Sequence, residues 1–334
     1  MASLGDLWDS TRMRLLIELE RHQSLSEAAR ATGIGQPAAS EHLRLLEIAA
    51  GQRLAERKGR GLKLTDLGRM LSSHAAQALA CLEAAEAEID AQSGLRAGTL
   101  RIAASSVPGS SVVPAALAGF SAEFPGVAID FQIGSTQQVL DWLLSGRVHL
   151  AVICAQPGDP RIATEPFLND EIVGVARPGL VPMTDGAAEP AELGSHTLLL
   201  QESGSNTRRF ALEELPHYGT RWTRVWQLGS AEAVKQCARA GLGVAFLSKH
   251  TLAGEIRRGE LATFRLAGVA PRVGFVSVAR LAAVPPGPAE RQFVQILVAG
   301  CADQAPGPAS QLRVAGSVLA PHTTTATRSP SPGR

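Results

Sequence analysis

Four polar side chains near the amino end recur at helical spacing, as Gln36, Ser40, Glu41 and Arg44. A helix carrying them on one face would fit the grooves of DNA, because Gln can bond to adenine, Arg to guanine or phosphate, and Ser weakly to either. Glu41 is unusual on such a face, since a carboxylate repels phosphate. Three partners are open for it: a cytosine amino group, Arg44 or Arg57.

Local signals predict that two short helices and a tight turn position these side chains. Ser24 and Glu27 have the spacing of a capping box, and Gly33 supplies the left-handed conformation that ends a helix. Gln36-Pro37 opens the second helix, where the missing N–H of proline costs nothing. The apolar residues predicted to pack beneath this pair are Leu15, Leu16, Leu19, Ala39, Leu43 and Leu46.

A basic segment with two glycines, R-K-G-R-G at 57–61, follows the second helix and predicts a strand–turn–strand wing. Residues 30–69 hold eight basic and four acidic side chains, a balance of +4, whereas the whole chain carries +1. Such local charge is typical of a DNA-binding surface. A merely solvated helix face is disfavoured, because the turn and wing follow in register. The predicted DNA-contacting residues are Gln36, Pro37, Ser40, His42, Arg44, Arg57, Lys58, Arg60 and Lys63.

The runs Q-P-A-A-S-E-H-L-R-L-L-E and R-K-G-R-G-L-K-L-T-D-L-G resemble the DNA-binding domain of LysR-type bacterial transcriptional regulators. The resemblance extends to about residue 303. It departs from the family at Gly35, where a capping Ser is usual, and at Ala55, where Phe is common. It also departs at Glu41, where a basic or neutral residue is frequent. The resemblance implies promoter DNA as a partner.

One apolar stripe runs along the next predicted helix, with spacings of 4, 4, 3, 4, 3 and 4 and no Gly or Pro between Arg69 and Ser93. Such a stripe must be buried, either on its own domain or against a second copy. The resemblance implies the second copy, because the family dimerises here, so a dimer or tetramer is expected. The stripe comprises Leu67, Leu71, Ala75, Ala78, Leu82, Ala85 and Ile89.

Beyond Gly98, predicted strands at 99–104, 127–133 and 148–155 alternate with helices. This pattern predicts a mostly parallel sheet with helices on both faces. Ligands of such sheets bind beyond the carboxyl ends of the strands, and helix starts there favour anions. The predicted strand ends are Ser105-Ser106, Gly134-Ser135-Thr136 and Cys154-Ala155.

A second unit of the same kind follows. Strands are predicted at 171–177 and 196–201, and the latter leads into donor-rich residues 202–208, which could cradle a carboxylate or phosphate. A strand at 272–280 is predicted to cross back to the first unit, and a helix at 290–300 to close it.

Two lobes joined by crossing strands resemble type 2 periplasmic solute-binding proteins, a fold that the LysR family carries as its effector domain. The run E-S-G-S-N-T-R is similar to a segment of the branch with regulators of sulfur assimilation and carbon fixation. The resemblance implies effector contacts from both lobes, while the alternative is that these residues only cap helices. The candidate effector-binding residues are Ser105, Ser106, Thr136, Ser203, Asn206, Thr207 and Ser230.

The predicted fold is α/β, in four parts. The last part is rich in Ala, Pro, Ser and Thr without apolar periodicity, which predicts disorder. The parts are a winged helix-turn-helix DNA-binding domain at 1–67, a linker and dimerisation helix at 68–93, a two-lobed effector-binding domain at 94–303 (lobe 1 about 97–168 and 270–303, lobe 2 about 169–269) and a tail at 304–334.

Composition and absent motifs argue against other classes. The four cysteines lie far apart, which indicates neither a zinc site nor a disulfide framework, so no metal or cofactor is expected. Enzymatic motifs such as G-x-S-x-G and G-x-x-x-x-G-K-[ST] are missing, so an enzyme is not expected. The sequence shows neither a signal peptide nor an apolar stretch of about 18 residues, which predicts a cytoplasmic protein, at the nucleoid when bound to DNA.

The leading hypothesis is a sequence-specific transcriptional regulator controlled by a small, anionic metabolite between two lobes. Its expected partners are double-stranded promoter DNA, a small carboxylate or phosphate, and a second copy of the chain. The alternative is a small-molecule-binding protein of solute-binding fold without a gene-regulatory role. The DNA-binding pattern and the missing export signal argue against that alternative.

Overall fold

Three helices and a two-stranded wing form the amino-terminal unit. Asp9 caps the first helix by accepting from the Arg12 N–H at 2.8 Å, and Ser24 caps the second by accepting from Glu27 N–H at 3.4 Å. Gly33 ends the second helix with φ at 76°. The computed structural model describes residues 9–58, 61–91, 95–201 and 206–301. The elements of this unit are α1 Ser10–His22, α2 Leu25–Thr32, α3 Gln36–Ala50, β1 Ala55–Lys58 and β2 Gly61–Leu64.

The apolar residues predicted to pack beneath the helix pair are buried, which confirms the prediction. Leu54 joins them from the start of the wing, so one core supports both the helices and the wing. Each fully buried leucine contributes about 1.5–3 kcal/mol relative to an exposed one. The members of this core include Leu15, Leu16, Leu19, Ala39, Leu43 and Leu46.

A long helix, α4 (Asp66–Ala91), begins beneath the wing and packs against α1 in its first half. Ala75 and Ala76 of α4 form a buried cluster with Met13 and Ile17 of α1. Because alanine side chains are small, the two helices approach closely. The start of α4 is thereby fixed to the amino-terminal unit, for which the sequence predicts DNA binding and which we call the DNA-binding unit.

The second half of α4 keeps part of its apolar stripe exposed in the single chain. Leu82 and Ile89 are 55% and 68% exposed, and Ala78 and Ala85 are also exposed. The single chain therefore covers only the beginning of the predicted stripe.

Polar contacts join the same half of α4 to residues 95–301, in which the sequence predicts effector binding and which we call the effector region. Glu83 accepts from Arg101 at 3.0 Å, and Glu88 accepts from Arg291 at 2.5 Å. One helix therefore contacts both the DNA-binding unit and the effector region.

The effector region contains an eight-stranded sheet in the order β4-β3-β5-β12-β6-β11-β7, with β10 also paired to β6. The sheet strands are β3 Thr99–Ser105, β4 Ala128–Gly134, β5 Leu150–Ile153, β6 Ile162–Ala176, β7 Ala187–Ala188, β10 Ala245–Ser248, β11 Ala262–Leu266 and β12 Arg272–Leu281. A separate parallel pair is β8 Thr197–Leu200 with β9 Arg224–Gln227. The helices are α5 Ser106–Ser111, α6 Val113–Glu123, α7 Thr136–Leu144, α8 Pro190–Leu193, α9 Asn206–Arg209, α10 Ala231–Arg239, α11 Ala253–Arg257 and α12 Pro288–Ala299.

The large sheet is mixed: the predicted strands β3, β4 and β5 run parallel as expected, whereas the crossing strands run antiparallel to their neighbours. Within it, β3 pairs in parallel with β4 and β5, whereas β12 is antiparallel to β5 and β6, and β10 and β11 are antiparallel to β6. The reason is that β6 and β12 each run from one half of the region to the other in opposite directions. They pair from Ile162↔Leu281 to Ile172↔Arg272.

Two sets of buried side chains lie on either side of these crossing strands. We call the part around Phe120 and Phe293 lobe 1 and the part around Phe210 and Phe246 lobe 2. In each lobe two of these aromatic rings meet edge-on. The ring centroids are 6.1 Å apart for Phe120 and Phe293 in lobe 1 and 5.4 Å apart for Phe210 and Phe246 in lobe 2. Within the described part of the chain, no helix is both long and apolar enough to span a membrane.

We expect Gly68→Ala to destabilise the DNA-binding unit. Gly68 is buried at the start of α4, and an added Cβ would overlap the backbone carbonyl of Leu54. Overpacking of this kind costs about 1–3 kcal/mol. Hydrogen exchange followed by mass spectrometry should show faster exchange in α1 and α4.

The matched control is Gly254→Ala in α11, where the added Cβ would meet the flexible end of Arg258. Alanine favours a helix over glycine by about 1 kcal/mol, so this variant should exchange no faster than the wild type. Unchanged protection of α1 in Gly68→Ala would contradict the packing described for α4.

Candidate DNA-binding surface and effector cleft

Most of the side chains predicted to contact DNA from α3 lie on its exposed face. Gln36, Pro37, Ser40 and Arg44 are all exposed, while Leu43 faces the core. Such a face offers amide, hydroxyl and guanidinium groups to a groove, which is the donor and acceptor set that reads base edges.

His42 lies differently from the others. Its side chain is half-buried, and its Nδ1 accepts from the Arg12 Nε–H at 3.3 Å. Arg12 also pairs with Asp9 at 3.3 Å. The contact with α1 turns His42 toward the helix interface, so its first role in this structure is to join α1 and α3.

Glu47 at the end of α3 fixes the wing relative to the helix. Its Oε1 accepts from the backbone N–H groups of Leu54 at 2.9 Å and Ala55 at 3.3 Å. These two donors would otherwise lack partners at the start of β1. This role was not predicted from the sequence, because a glutamate that bonds seven residues further along has no local signature.

The basic residues of the wing lie on both of its faces. In the antiparallel ladder Arg57 pairs with Leu62, and Glu56 pairs with Lys63. Paired residues share a face and successive residues alternate, so Arg57 and Lys63 point to opposite sides. The side chain of Lys58 and the whole of Arg60 lie outside the described residues.

In lobe 1 the carboxyl ends of three parallel strands meet at one edge, as predicted for a ligand site. Ser105 pairs with Gly134 at the ends of β3 and β4, and Ala104 pairs with Val152 near the end of β5. Helices α5 and α7 begin there, so their free N–H groups lie at the same edge.

The predicted side chains at this edge differ in their surroundings. Ser105 is buried, and its Oγ accepts from the Cys154 N–H at 3.3 Å. Ser106 and Thr136 are half-buried at the first positions of α5 and α7. The cap of α7 is Ser135, which forms a complete capping box with Gln138. Ser135, and not Thr136, is therefore the residue that caps α7.

A buried carboxylate, Asp170, lies where the lobes join, and it was not predicted from the sequence. It is 7% exposed, accepts from the Ser248 hydroxyl at the end of β10 and hydrogen-bonds with Cys154 beyond β5. It therefore connects lobe 2, the crossing strand β6 and lobe 1. His250 lies beside it, with Nε2 at 2.7 Å from the Asn169 carbonyl oxygen. Ser248 is 78 residues from Asp170, so no local pattern could have revealed the pair.

Burial dominates the ionisation of this cluster. It raises the pKa of Asp170 above that of a free aspartate, although the Ser248 hydrogen bond and the nearby His250 lower it in part. Burial, together with the charge of Asp170, raises the pKa of the Cys154 thiol well above its ordinary value. The surroundings of Cys154 therefore favour the neutral thiol over the thiolate.

In lobe 2, β8 and β9 run in parallel, and α9 and α10 begin beyond their carboxyl ends. Ser230 is exposed and caps α10 by accepting from the Ala233 N–H at 3.2 Å. Thr207 is buried in α9. Asn206 begins α9, but its side chain lies outside the described residues, as does the whole of Ser203.

We expect Asp170→Asn to flatten the dependence of stability on pH. Because the folded-state pKa of Asp170 lies above the unfolded value, its stability contribution is complete below the ordinary value of 3.8 and is lost as pH rises through the folded-state pKa. The amide cannot ionise. Melting temperatures measured from about pH 4 to about pH 8 should fall less in this variant than in the wild type.

Asp130→Asn is the matched control, since Asp130 is an exposed carboxylate of the same lobe. It should keep the wild-type profile. Identical profiles for Asp170→Asn and the wild type would show that burial of Asp170 does not govern its ionisation.

Two family models together match nearly all of the described chain. The model described as bacterial regulatory helix-turn-helix protein, lysR family, matches residues 10–69. The model described as LysR substrate binding domain matches residues 93–302. The gap between the two matches, residues 70–92, covers most of α4.

Among curated proteins, the HTH-type transcriptional regulator CbbR of Rhodospirillum rubrum is 31% identical over 258 residues, which is 77% of this chain and 85% of that protein. Among solved structures, a full-length OxyR variant from Pseudomonas aeruginosa shares the fold, with a TM-score of 0.70 at 18% identity over 89% of this chain and 97% of that chain.

The regulatory domain of Synechocystis PCC6803 CcmR, solved in complex with 2-PG, is 27% identical with a TM-score of 0.55, over 61% of this chain and 97% of that chain. The matches cover both the helix-turn-helix and the two-lobed region. With the geometry of α3, the wing and the two lobes, they show that this chain belongs to the LysR family of bacterial transcriptional regulators.

Proposed function

We propose that this regulator binds promoter DNA as a dimer or tetramer and that a small carboxylate or phosphate between its lobes controls it. The observation that carries the effector proposal is the common edge of β3, β4 and β5, where α5 and α7 begin beside Ser105 and Thr136. Helix starts supply free N–H groups and a partial positive charge, which together favour an anion.

The second lobe supplies the other side of the site in this proposal. Asn206, Thr207 and Ser230 lie at the starts of helices that follow the parallel strands β8 and β9. Ser203 is included in this proposal from the sequence alone. The 2-PG complex of the CcmR regulatory domain supports a small ligand in a domain of this kind.

Ligand binding can change how the two lobes are arranged, because the lobes join at the polar cluster around Asp170. Asp170 bonds to both lobes, so a ligand that contacts both lobes changes the balance between their arrangements. Lobe 1 is in turn bonded to α4 through Arg101 and Arg291. We propose that this connection carries the effector state to the spacing of the DNA-binding units.

For DNA we propose that α3 enters the major groove and that the wing contacts the backbone. The contacting set is the exposed face of α3 with Gln36, Ser40 and Arg44, joined by the basic residues of the wing. The wing residue to test first is Arg57. Its side chain is exposed, although it belongs to the face of the ladder that packs on the core.

Self-association is proposed from the exposed end of α4. Ala78, Leu82, Ala85 and Ile89 continue an apolar stripe that the single chain leaves in solvent. A second α4 would bury it, and small alanines would allow close approach. Two copies would then present two α3 helices to a two-fold site.

In the proposed domain organisation, residues 1–67 bind DNA, residues 68–93 form the linker and residues 94–303 bind the effector. We also propose that the protein resides in the cytoplasm, because a regulator has to share a compartment with its DNA.

Ligand binding can be tested with a thermal-shift screen of small carboxylates and phosphate esters. An anion that binds the folded state should raise the melting temperature with its concentration. Thr136→Val should weaken the response to a hit about tenfold, because a charged ligand loses one hydrogen bond of about 1.5 kcal/mol.

The matched control is Thr99→Val, at the opposite end of the same sheet, where Thr99 is exposed. It should respond as the wild type does. A hit that shifts Thr136→Val and the wild type equally would place the anion elsewhere.

The dimer proposal predicts that Leu82→Lys raises the dimer dissociation constant at least about tenfold, since it places a charge in an apolar contact. Sedimentation equilibrium of the full-length chain measures this. Leu242→Lys, at a leucine of lobe 2 that is 46% exposed, is the control for adding a charge. Equal dissociation constants for both variants would exclude the α4 interface.

A further inference from the structure

Glu41 and Arg44 form a bidentate ion pair on the exposed face of α3. The Arg44 Nε–H donates to Oε2 at 2.8 Å, and Nη2–H donates to Oε1 at 2.6 Å. The side chains are 53% and 56% exposed. Of the two protein partners open to Glu41 from the sequence, Arg44 and Arg57, the structure shows Arg44.

The pair changes what α3 offers to DNA. Arg44 has five N–H donors, and two are used by Glu41, so three remain at the outer edge of the guanidinium. Its hydrogen bonds lower the pKa of Glu41, so the carboxylate stays ionised at neutral pH. The positive charge of Arg44 is therefore locally balanced, and Glu41 opposes any nearby phosphate.

Helix stabilisation alone would not require this position. A pair of the same spacing, Arg21 with Glu18 at 2.6 Å, lies on α1. Exposed ion pairs contribute little to stability, and both side chains of the Glu41–Arg44 pair are more than half exposed. What distinguishes Glu41 is its place between Ser40 and Arg44 on the face proposed to enter the groove.

We propose that Glu41 is a specificity-determining residue that holds Arg44 in one orientation and weakens binding to DNA of the wrong sequence. On such DNA the carboxylate opposes the phosphates, and the restrained guanidinium has no matching acceptor. On the preferred sequence the three remaining donors meet a base edge placed for them. This inference rests on the proposed entry of α3 into the groove.

The test uses full-length protein and duplexes selected by the wild type from a random-sequence library. Dissociation constants for a selected duplex and an unrelated duplex are measured over a range of salt concentrations. The variants are Glu41→Gln, Arg44→Lys and Gln36→Ala. Glu18→Gln is the control for removing a glutamate charge, because Glu18 forms an ion pair of the same spacing on α1, although it is less exposed and also lies 3.3 Å from His22.

We expect Glu41→Gln to bind the unrelated duplex about three- to tenfold more tightly, with a salt slope steeper by about one, since Arg44 becomes free for a phosphate. Its preference for the selected duplex should fall about tenfold. Arg44→Lys keeps the charge but not the fork, so it should lose affinity mainly for the selected duplex. Glu18→Gln should match the wild type.

Equal behaviour of Glu41→Gln and Glu18→Gln would overturn the inference and make Glu41 a solvated surface residue. A loss of affinity for both duplexes together with a lower melting temperature would also overturn it, in favour of a structural role. Gln36→Ala distinguishes a failure of the inference about Glu41 from a failure of the proposed entry of α3 into the groove. If Gln36→Ala leaves the affinity for the selected duplex unchanged, α3 does not enter the groove as proposed. If Gln36→Ala weakens that affinity while Glu41→Gln has no effect, only the inference about Glu41 is refuted.

Discussion

Close packing between α1 and α4, which the small side chains of Ala75 and Ala76 permit, fixes the DNA-binding unit to a helix that also contacts lobe 1. At one end of α4, apolar contacts with Met13 and Ile17 make the junction stiff. Further along, ion pairs from Glu83 and Glu88 reach lobe 1. Exposed ion pairs are individually weak. A change in the lobes can therefore alter the second junction while the first stays intact.

The DNA-binding unit was predictable from sequence because its signals are local. Caps, a left-handed glycine and helical spacing all act within a few residues, and Ser24, Gly33 and the buried leucines lie where they were expected. The effector region was predictable as two α/β lobes, but not as a mixed sheet. The direction of β6 and β12 is set by pairing between residues more than a hundred positions apart, such as Ile162 with Leu281.

The site residues likewise divide into those whose positions follow from local sequence and those whose contacts depend on distant residues. Exposed positions on α3 follow from helical periodicity, whereas the contact of His42 with Arg12 depends on how two helices cross. Asp170 could not be predicted at all, because its partners come from other strands. The pairing of Glu41 was one of three options, and the sequence could not choose among them, since exposed side chains have several acceptable rotamers. A carboxylate lies close to each proposed site: burial raises the pKa of Asp170 near the proposed effector edge, and Glu41 lies on the exposed face of α3.

A methylation-protection footprint of the full-length protein on its selected duplex tests most directly whether the α3 helices of two copies enter the major groove. We expect protection of guanine N7 in two major-groove segments related by two-fold symmetry, with centres about 10 base pairs or a multiple apart. Binding without major-groove protection, or protection of a single segment by the saturated protein, would contradict it.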